Sequence, residues 1–372
     1  MRELNFISTG RLEWIDRPDP QVRTDDDVIV RPFVVSRCDG DTLPIHSRVS
    51  RAMQAGLKAG VIDPAVGHIC GPVPFRGPFA IGHEAIGEVV TVGPAVTTIA
   101  VGDKVVVPWA VSCGRCEACQ RGLTSKCTTT RGERTLSAYG FGPASGPYGG
   151  MISDLIRVPY ADHMLVKIPN GLDPLRVAAA SDNLADAWRA VVPQLRARPG
   201  ATVLVVGGGA QSIGLYAAGL AAAHGASVID FLDRSTRRLS IAESVGAHAL
   251  ERKPRGYPEH ESGYDIVVEA SSSTTGLRHA LRSTAPGGTC TAVGYYVGTN
   301  TGIPLMHMYA TDITLHLGVS HSRAVLPEML SWIHDHDFPA EKVTTMLSDF
   351  DDAPQAYAER TTKLVLHRKP LH

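Results

Sequence analysis

The spacing of apolar positions changes along the chain, and that change divides it. In the first third, β-branched residues fall in short alternating runs: Val28 to Ser36 (VIVRPFVVS) stops just before Cys38, and Ala85 to Gly93 and Val101 to Trp109 follow Gly82-His83-Glu84. Period-two runs of this length read as half-buried strands. From Val203 the pattern is different. Val203 to Val206 is a continuous β-branched run too short for a helix; it breaks into Gly207, Gly208 and Gly209, and Ser212 to His224 restarts as a helix. Ser227 to Leu232 repeats the strand, ending at Asp233, and a helix follows from Ser235. Tyr264 to Ala270, Thr289 to Gly294 and Asp312 to Gly318 continue as strands, with a helix over Thr274 to Ser283. Strands alternating with helices predict a parallel, doubly wound sheet that takes its ligand at the strands' C-terminal ends. The tail from Ser320 holds two amphipathic helices and a last strand-like run, Thr362 to His367.

The glycines at 207–209 have two readings. They can be a tight strand-to-helix connection, or they can let the backbone approach a pyrophosphate held by the N–H groups of the next helix. The spacing to Gly214 suits a turn one or two residues longer than GxGxxG. Candidate contacts are Gly207, Gly208, Gly209, Ser212, Ile213 and Gly214. Asp233 lies roughly 20 positions beyond the turn, where a carboxylate accepts from the adenosine ribose. Its charge would repel a 2′-phosphate, which favours NAD over NADP, although Arg234, Arg237 and Arg238 stand nearby. Arg238 joins the cofactor candidates, and Val293 and Gly294 are expected near the nicotinamide.

Length and charge narrow the class. A chain of 372 residues exceeds one ordinary core and predicts two domains. Its 36 Lys and Arg against 37 Asp and Glu give no footprint for nucleic acid or an anionic membrane, so the expected partner is a small molecule. No apolar run reaches membrane-spanning length, and the first residues lack the layout of a signal peptide, which makes a cytoplasmic enzyme the expectation.

Four of the seven cysteines crowd into one stretch, Cys113, Cys116, Cys119 and Cys127. Their spacing can close a tetrahedral zinc shell made wholly of sulfur, with no position left for water or substrate; such a zinc is structural. Other candidates carry less alone. Cys38 is a packed small residue or a ligand, His83 and Glu84 a structural pair or part of a site, and Trp109 a core residue or a pocket wall. Leu43 to Ala80, rich in Gly and Pro, reads as a lid or pocket wall with one short helix, or as a disordered loop. Cys70, Cys290, His334 and His336 read as structural.

Together the Cys38 run, Gly82-His83-Glu84, the four-cysteine lobe, Gly149 to Pro169 and the glycine turn resemble the zinc-dependent medium-chain alcohol dehydrogenases in the family's order. Val158 to Pro169 and Ala178 to Trp188 are most similar to the formaldehyde dehydrogenase and dismutase branch. The resemblance implies a GroES-like, β-rich catalytic domain (1–177 and 316–372, with a zinc lobe near 109–130) split around a Rossmann cofactor domain (178–315). It also implies a catalytic zinc on Cys38, His83 and Asp182, with Glu84 as a reserve ligand or close neighbour and Asp41 orienting the histidine. Trp109 and His46 fall at the substrate pocket and its proton exit. Two zinc ions per chain, NAD, and a homodimer or homotetramer follow from the same likeness. The implied reaction is hydride transfer between an alcohol and NAD, with two rivals: an aldehyde dismutase with tightly held NAD, and a non-catalytic nucleotide-binding protein. Three departures stand out. Gly40 replaces the hydroxyl residue that relays the substrate proton, leaving Asp39, Thr42, His46 or water; the Cys38 to His83 interval is long; and the glycine turn is lengthened.

Overall fold

The computed structural model describes residues 1–253, 256–257 and 263–372. The chain forms two compact units: Met1–Ala185 with His321–Asp337 and Thr344–His372, and Asp186–Ser320 with Phe338–Val343.

The first unit is built from the alternating runs. In chain order its strands are β1 (Arg2–Ser8), β2 (Arg11–Asp16), β3 (Val28–Ser36), β4 (Phe79–Ala80), β5 (Glu84–Val92), β6 (Lys104–Val107), β7 (Ile156–Val158) and β8 (Val166–Lys167). Two strands of the tail, Met346–Asp349 and Leu364–His367, join the same sheet; they are β15 and β16 once the second unit is counted. Strand order in the larger sheet is β15-β16-β3-β5-β6-β8, with β7 on β3. Strand β3 is almost wholly buried because it pairs with β5 along its whole length and with β16 and β7 on its other edge. The last residues of the chain therefore lie beside the strand that leads into Cys38, with Leu366 opposite Val35.

Leu43 to Ala80 is more ordered than its composition predicts. Instead of one short helix it holds three, Thr42–His46, Ser50–Lys58 and Pro64–Cys70. Asp63 caps the third by accepting from the Ala65 N–H at 2.9 Å, and Pro64 occupies its first turn, where a missing N–H costs nothing.

The second unit carries the predicted parallel sheet. Its strands are β9 (Thr202–Val206), β10 (Val228–Asp233), β11 (His248–Glu251), β12 (Tyr264–Glu269), β13 (Thr284–Ala292) and β14 (Thr314–Leu317), ordered β11-β10-β9-β12-β13-β14 and parallel throughout. The order reverses between β10 and β12, on either side of β9, so the glycines that follow β9 open at the sheet's switch point. Strand β11 was not foreseen: His248–Glu251 is short and half polar, as an edge strand can be.

Leu204 sits on the central strand with no exposure and packs with Leu232, Val267 and Leu281. Leu204→Ala is expected to lower this unit's stability by about 2–5 kcal/mol, as for other buried leucines. Urea unfolding followed by far-UV circular dichroism measures it.

Candidate active site

Three separate parts of the first unit bring one side chain each to a common point. Cys38 follows β3, His83 precedes β5, and Asp182 stands just before helix Asn183–Ala197. All three are buried, and their ligand atoms lie within 4.8 Å of one another. Cys38 Sγ is 3.2 Å from Asp182 Oδ2, and His83 Nε2 is 3.5 Å from the same oxygen. Among the described residues His83 Nε2 has no hydrogen-bond partner, although it is buried.

A dication fits this donor set. Burial, and then Asp182, Asp41 and Glu84, push the Cys38 thiol well up, so a thiolate is disfavoured until positive charge arrives. Burial lowers the basicity of His83, but Asp41, Asp182 and Glu84 outweigh it and hold the imidazole up at about 9. A thiolate, an imidazole and a carboxylate suit zinc and leave a coordination position open. The amides of Gly40 and Asn183 point at the sulfur, at 3.4 Å and 3.3 Å, as donors to a thiolate do.

Behind the three lies a fully buried polar network. Lys363 and Glu84 form an ion pair in which both side chains have 0% exposure. Lys363 Nζ also donates to Arg37 O at 3.0 Å and to Asn183 Oδ1 at 2.8 Å. Glu84 accepts the Asn183 amide at 2.7 Å and the Ser36 hydroxyl. With its carboxylate committed to Lys363, Glu84 is anchored on the side of the network. His83 Nδ1 lies 3.4 Å from Gly140 O and 3.9 Å from Asp41 Oδ1, so the Gly140 carbonyl is the partner within hydrogen-bond reach. Asp41 instead accepts the Tyr357 hydroxyl at 2.8 Å.

Aromatic rings flank the histidine. Phe141 lies edge-on to His83 at 4.9 Å between centroids and against Trp109 at 4.7 Å. Trp109 itself is 1% exposed, so it backs the half-buried Phe141. Position 40 bears no side chain; Thr42 Oγ1 donates to Asp39 O at 2.6 Å, and His46 Nε2 meets Ala358 O at 3.2 Å.

The four lobe cysteines also converge, with their sulfurs within 4.8 Å of one another. Burial opposes charge on Cys116, yet donation from Thr128 and the Cys119 amide holds its thiol down at about 5. Burial and the neighbouring sulfurs push Cys119 the other way. Four sulfurs this close cannot all be negative without a cation between them, and a tetrahedral zinc answers that demand.

In the second unit the glycine turn is pinned to its neighbours. Gly207 N–H donates to Leu232 O at 2.8 Å, Gly209 to Ser271 O at 3.0 Å and Ala210 to Ala270 O at 2.9 Å. A Cβ at Gly207 would stand 2.4 Å from Asp233 Oδ2, and one at Gly208 would stand 2.7 Å from Ser271 Cα. Helix Gln211–Ala223 starts directly after the turn and carries Ser212, Ile213 and Gly214. Asp233 is 1% exposed and grips Arg238 with both oxygens, at 2.6 and 2.7 Å, while Arg238 reaches Gln211 Oε1 at 3.0 Å. Next to the turn, Glu269 ends β12 with a buried carboxyl that accepts from the Ser271 amide at 2.9 Å and from the Ser271 and Tyr296 hydroxyls. Burial outweighs these donors and raises its pKa from 4.5 to about 7.

Residues 24–170 match the family model of the alcohol dehydrogenase GroES-like domain, and residues 212–335 match that of the zinc-binding dehydrogenases. A probable zinc-binding alcohol dehydrogenase of Mycobacterium tuberculosis is 30% identical over 96% of this chain and 85% of its own length. The chain belongs to the zinc-type medium-chain alcohol dehydrogenase family. A glutathione-independent formaldehyde dehydrogenase of Pseudomonas aeruginosa is 28% identical over 93% of this chain and 85% of its own. Among solved structures, the alcohol dehydrogenase TADH of Thermus sp. ATN1 superposes with a TM-score of 0.82, at 27% identity over 99% of this chain and all of that one. Family membership makes the protein a zinc-type alcohol oxidoreductase with a GroES-like and a Rossmann domain. No helix among the described residues is long and apolar enough to cross a membrane.

Sequence reasoning missed Lys363, Asn183, Tyr357 and Phe141. Only Asn183 left a local signal, as the polar residue next to Asp182 at the start of a long helix.

Two outcomes follow from this site. Lys363→Met, which strands the buried Glu84, is expected to cost about 3–5 kcal/mol, and Lys363→Met with Glu84→Gln to recover part of it; urea midpoints of the two variants check this. Because the folded pKa of Glu269 lies above its unfolded value of 4.5, its contribution is fully present below pH 4.5 and is lost as pH rises towards about 7. Thermal scans across that window should show a decline for the wild-type chain that Glu269→Gln removes.

Proposed function

We propose that the protein transfers a hydride between a small alcohol with an apolar side and NAD, through a zinc held by Cys38, His83 and Asp182. The observation that carries this reading is the convergence of those three buried ligand atoms within 4.8 Å. When bound, the zinc supplies Lewis acidity towards the substrate oxygen and NAD accepts or returns the hydride.

The chain's residues do the rest. Asn183 and Gly40 hold the Cys38 sulfur as an acceptor, and Lys363 restrains Glu84 so that the three ligands keep one face open. Phe141, backed by Trp109, offers an apolar wall that favours aromatic or branched alcohols over polyols, whose hydroxyls would go unpaired there. No side chain at position 40 can take the substrate proton, and the Thr42 hydroxyl hydrogen is turned to Asp39 O, so we assign the proton's exit to water, with His46 beyond it. Burial lowers the His46 pKa below 6.5, which leaves its ring neutral and able to accept.

For the cofactor we assign the pyrophosphate to Gly207–Gly209 and the helix start at Ser212, Ile213 and Gly214, and the ribose to Asp233. Arg238 is bound to Asp233 rather than poised for a 2′-phosphate, which supports NAD over NADP. Val293 and Gly294 are assigned to the nicotinamide side. The likeness to a formaldehyde dehydrogenase keeps one second reading, an aldehyde dismutase whose NAD does not leave.

The test is the absorbance of reduced nicotinamide over a panel of primary, secondary and aromatic alcohols and their aldehydes, with NAD and NADP in parallel. Turnover with NAD and apolar alcohols is expected; aldehyde consumption without added cofactor identifies the dismutase. Metal analysis should find about two zinc per chain. Cys38→Ala is expected to lose one of them and its turnover, whereas full turnover in that variant would sink the reading.

A further inference from the structure

We propose that the groove between β1 and helix Ser50–Lys58 binds a small phosphate ester, at a site that shares no residue with the ligand trio, the cysteine lobe or the glycine turn. The groove is a cavity of about 530 Å³, and its lining includes Arg48, Arg51 and Arg76 with Ser8, Ser50 and Phe75. No carboxylate lines it.

The three guanidinium groups set it apart. Several arginines of this chain pair with carboxylates, as Arg2 does with Asp154, Arg157 with Asp27 and Arg238 with Asp233. Among the described residues Arg48, Arg51 and Arg76 make no ion pair and no side-chain hydrogen bond. Three cationic side chains line one groove whose lining holds no counter-charge, and a bound dianion would supply it. The end of helix Ser50–Lys58 that meets the groove has the same polarity: its cap residue, Val49, offers no side-chain acceptor, and its first turn holds no acidic residue. Phe75 adopts a left-handed backbone with φ 55°, a strained conformation for a bulky residue, in the turn that carries Arg76.

The occupant's size and character follow. The volume falls within the roughly 300–1,000 Å³ of small-molecule sites. Guanidinium forks match phosphate oxygens in pairs, and Phe75 with the buried Phe6 gives a short carbon skeleton something to lie against. The ligand is therefore a phosphate carrying a small organic group, rather than bare phosphate. The segment that supplies these arginines is the one that lengthens the Cys38 to His83 interval.

The experiment is isothermal titration calorimetry on the full chain with saturating NAD, using glycerol 3-phosphate, inorganic phosphate and glycerol as titrants. The result is read as the difference between wild type and variants, so it holds whether or not NAD occupies the nucleotide turn. Glycerol 3-phosphate should bind more tightly than inorganic phosphate, glycerol should not bind, and affinity should fall with added salt. Arg51→Gln and Arg76→Gln are each expected to weaken the ester at least about tenfold, with Arg51→Lys recovering part of the loss. Their melting temperatures should match wild type, since both side chains are exposed. The proposal is overturned if neither anion binds at millimolar concentration, if the variants bind as well as wild type, or if inorganic phosphate binds and the ester does not.

Discussion

A lysine and a glutamate with no exposure to water govern the first unit. Taking two opposite charges out of solvent costs several kcal/mol per ion, and their attraction repays it only when every remaining donor and acceptor is met. Here the partners are Ser36, Arg37 and Asn183. Each stands next to, or close to, a member of the ligand trio: Arg37 precedes Cys38, Glu84 follows His83, and Asn183 follows Asp182. The network that satisfies the buried pair is therefore the frame that fixes the three candidate ligands. A shift of β16, which follows Lys363 directly and pairs with β3, would be felt at all three at once.

This explains which features could be read from the sequence and which could not. The cysteine lobe is local: its four sulfurs lie within fifteen positions, and spacing alone announces their convergence. The parallel sheet is announced by its period, because each strand and helix declares itself within a few residues. Cys38, His83 and Asp182 became visible only as a set, through a family likeness, since each alone has an ordinary structural reading. Lys363 left no signal, because its partner Glu84 is 279 residues away and a lysine near a chain's end is usually solvated. Phe141 was hidden for a similar reason: a ring is recognised as part of a site only through what it touches. The three helices within 42–70 were obscured by glycines and prolines, of which Pro44, Gly56 and Gly67 lie inside them and Pro64 opens the third.

The second unit shows a related economy of donors. A glycine turn is often pictured as a row of free amides awaiting phosphate, yet here the amides of Gly207, Gly209 and Ala210 are bonded to carbonyls at the ends of the adjacent strands. Their role is to hold the backbone close to Asp233 and Ser271, in space that a Cβ would fill. The lengthened turn is thus a packed corner, pinned through its amides directly ahead of helix Gln211–Ala223. Glu269 sits behind that corner, gripping Ser271, whose carbonyl in turn receives Gly209.

The bare backbone at Gly40 bears on chemistry as well as on shape. In the proposed reaction a hydroxyl at that position would offer the substrate proton a fixed path. The Gly40 amide donates to the sulfur at 3.4 Å, and the Thr42 hydroxyl donates to the Asp39 carbonyl. The site has a backbone donor to the Cys38 sulfur and no side-chain relay at position 40. Water can carry a proton through such a gap, because a chain of hydrogen bonds needs only room and polar partners at its ends. Asp39 and Asp41, both nearly buried, supply polar ends close to Cys38. In the proposed reaction the Phe141 wall would keep water away from the hydride, while the bare position 40 would let the proton leave through water.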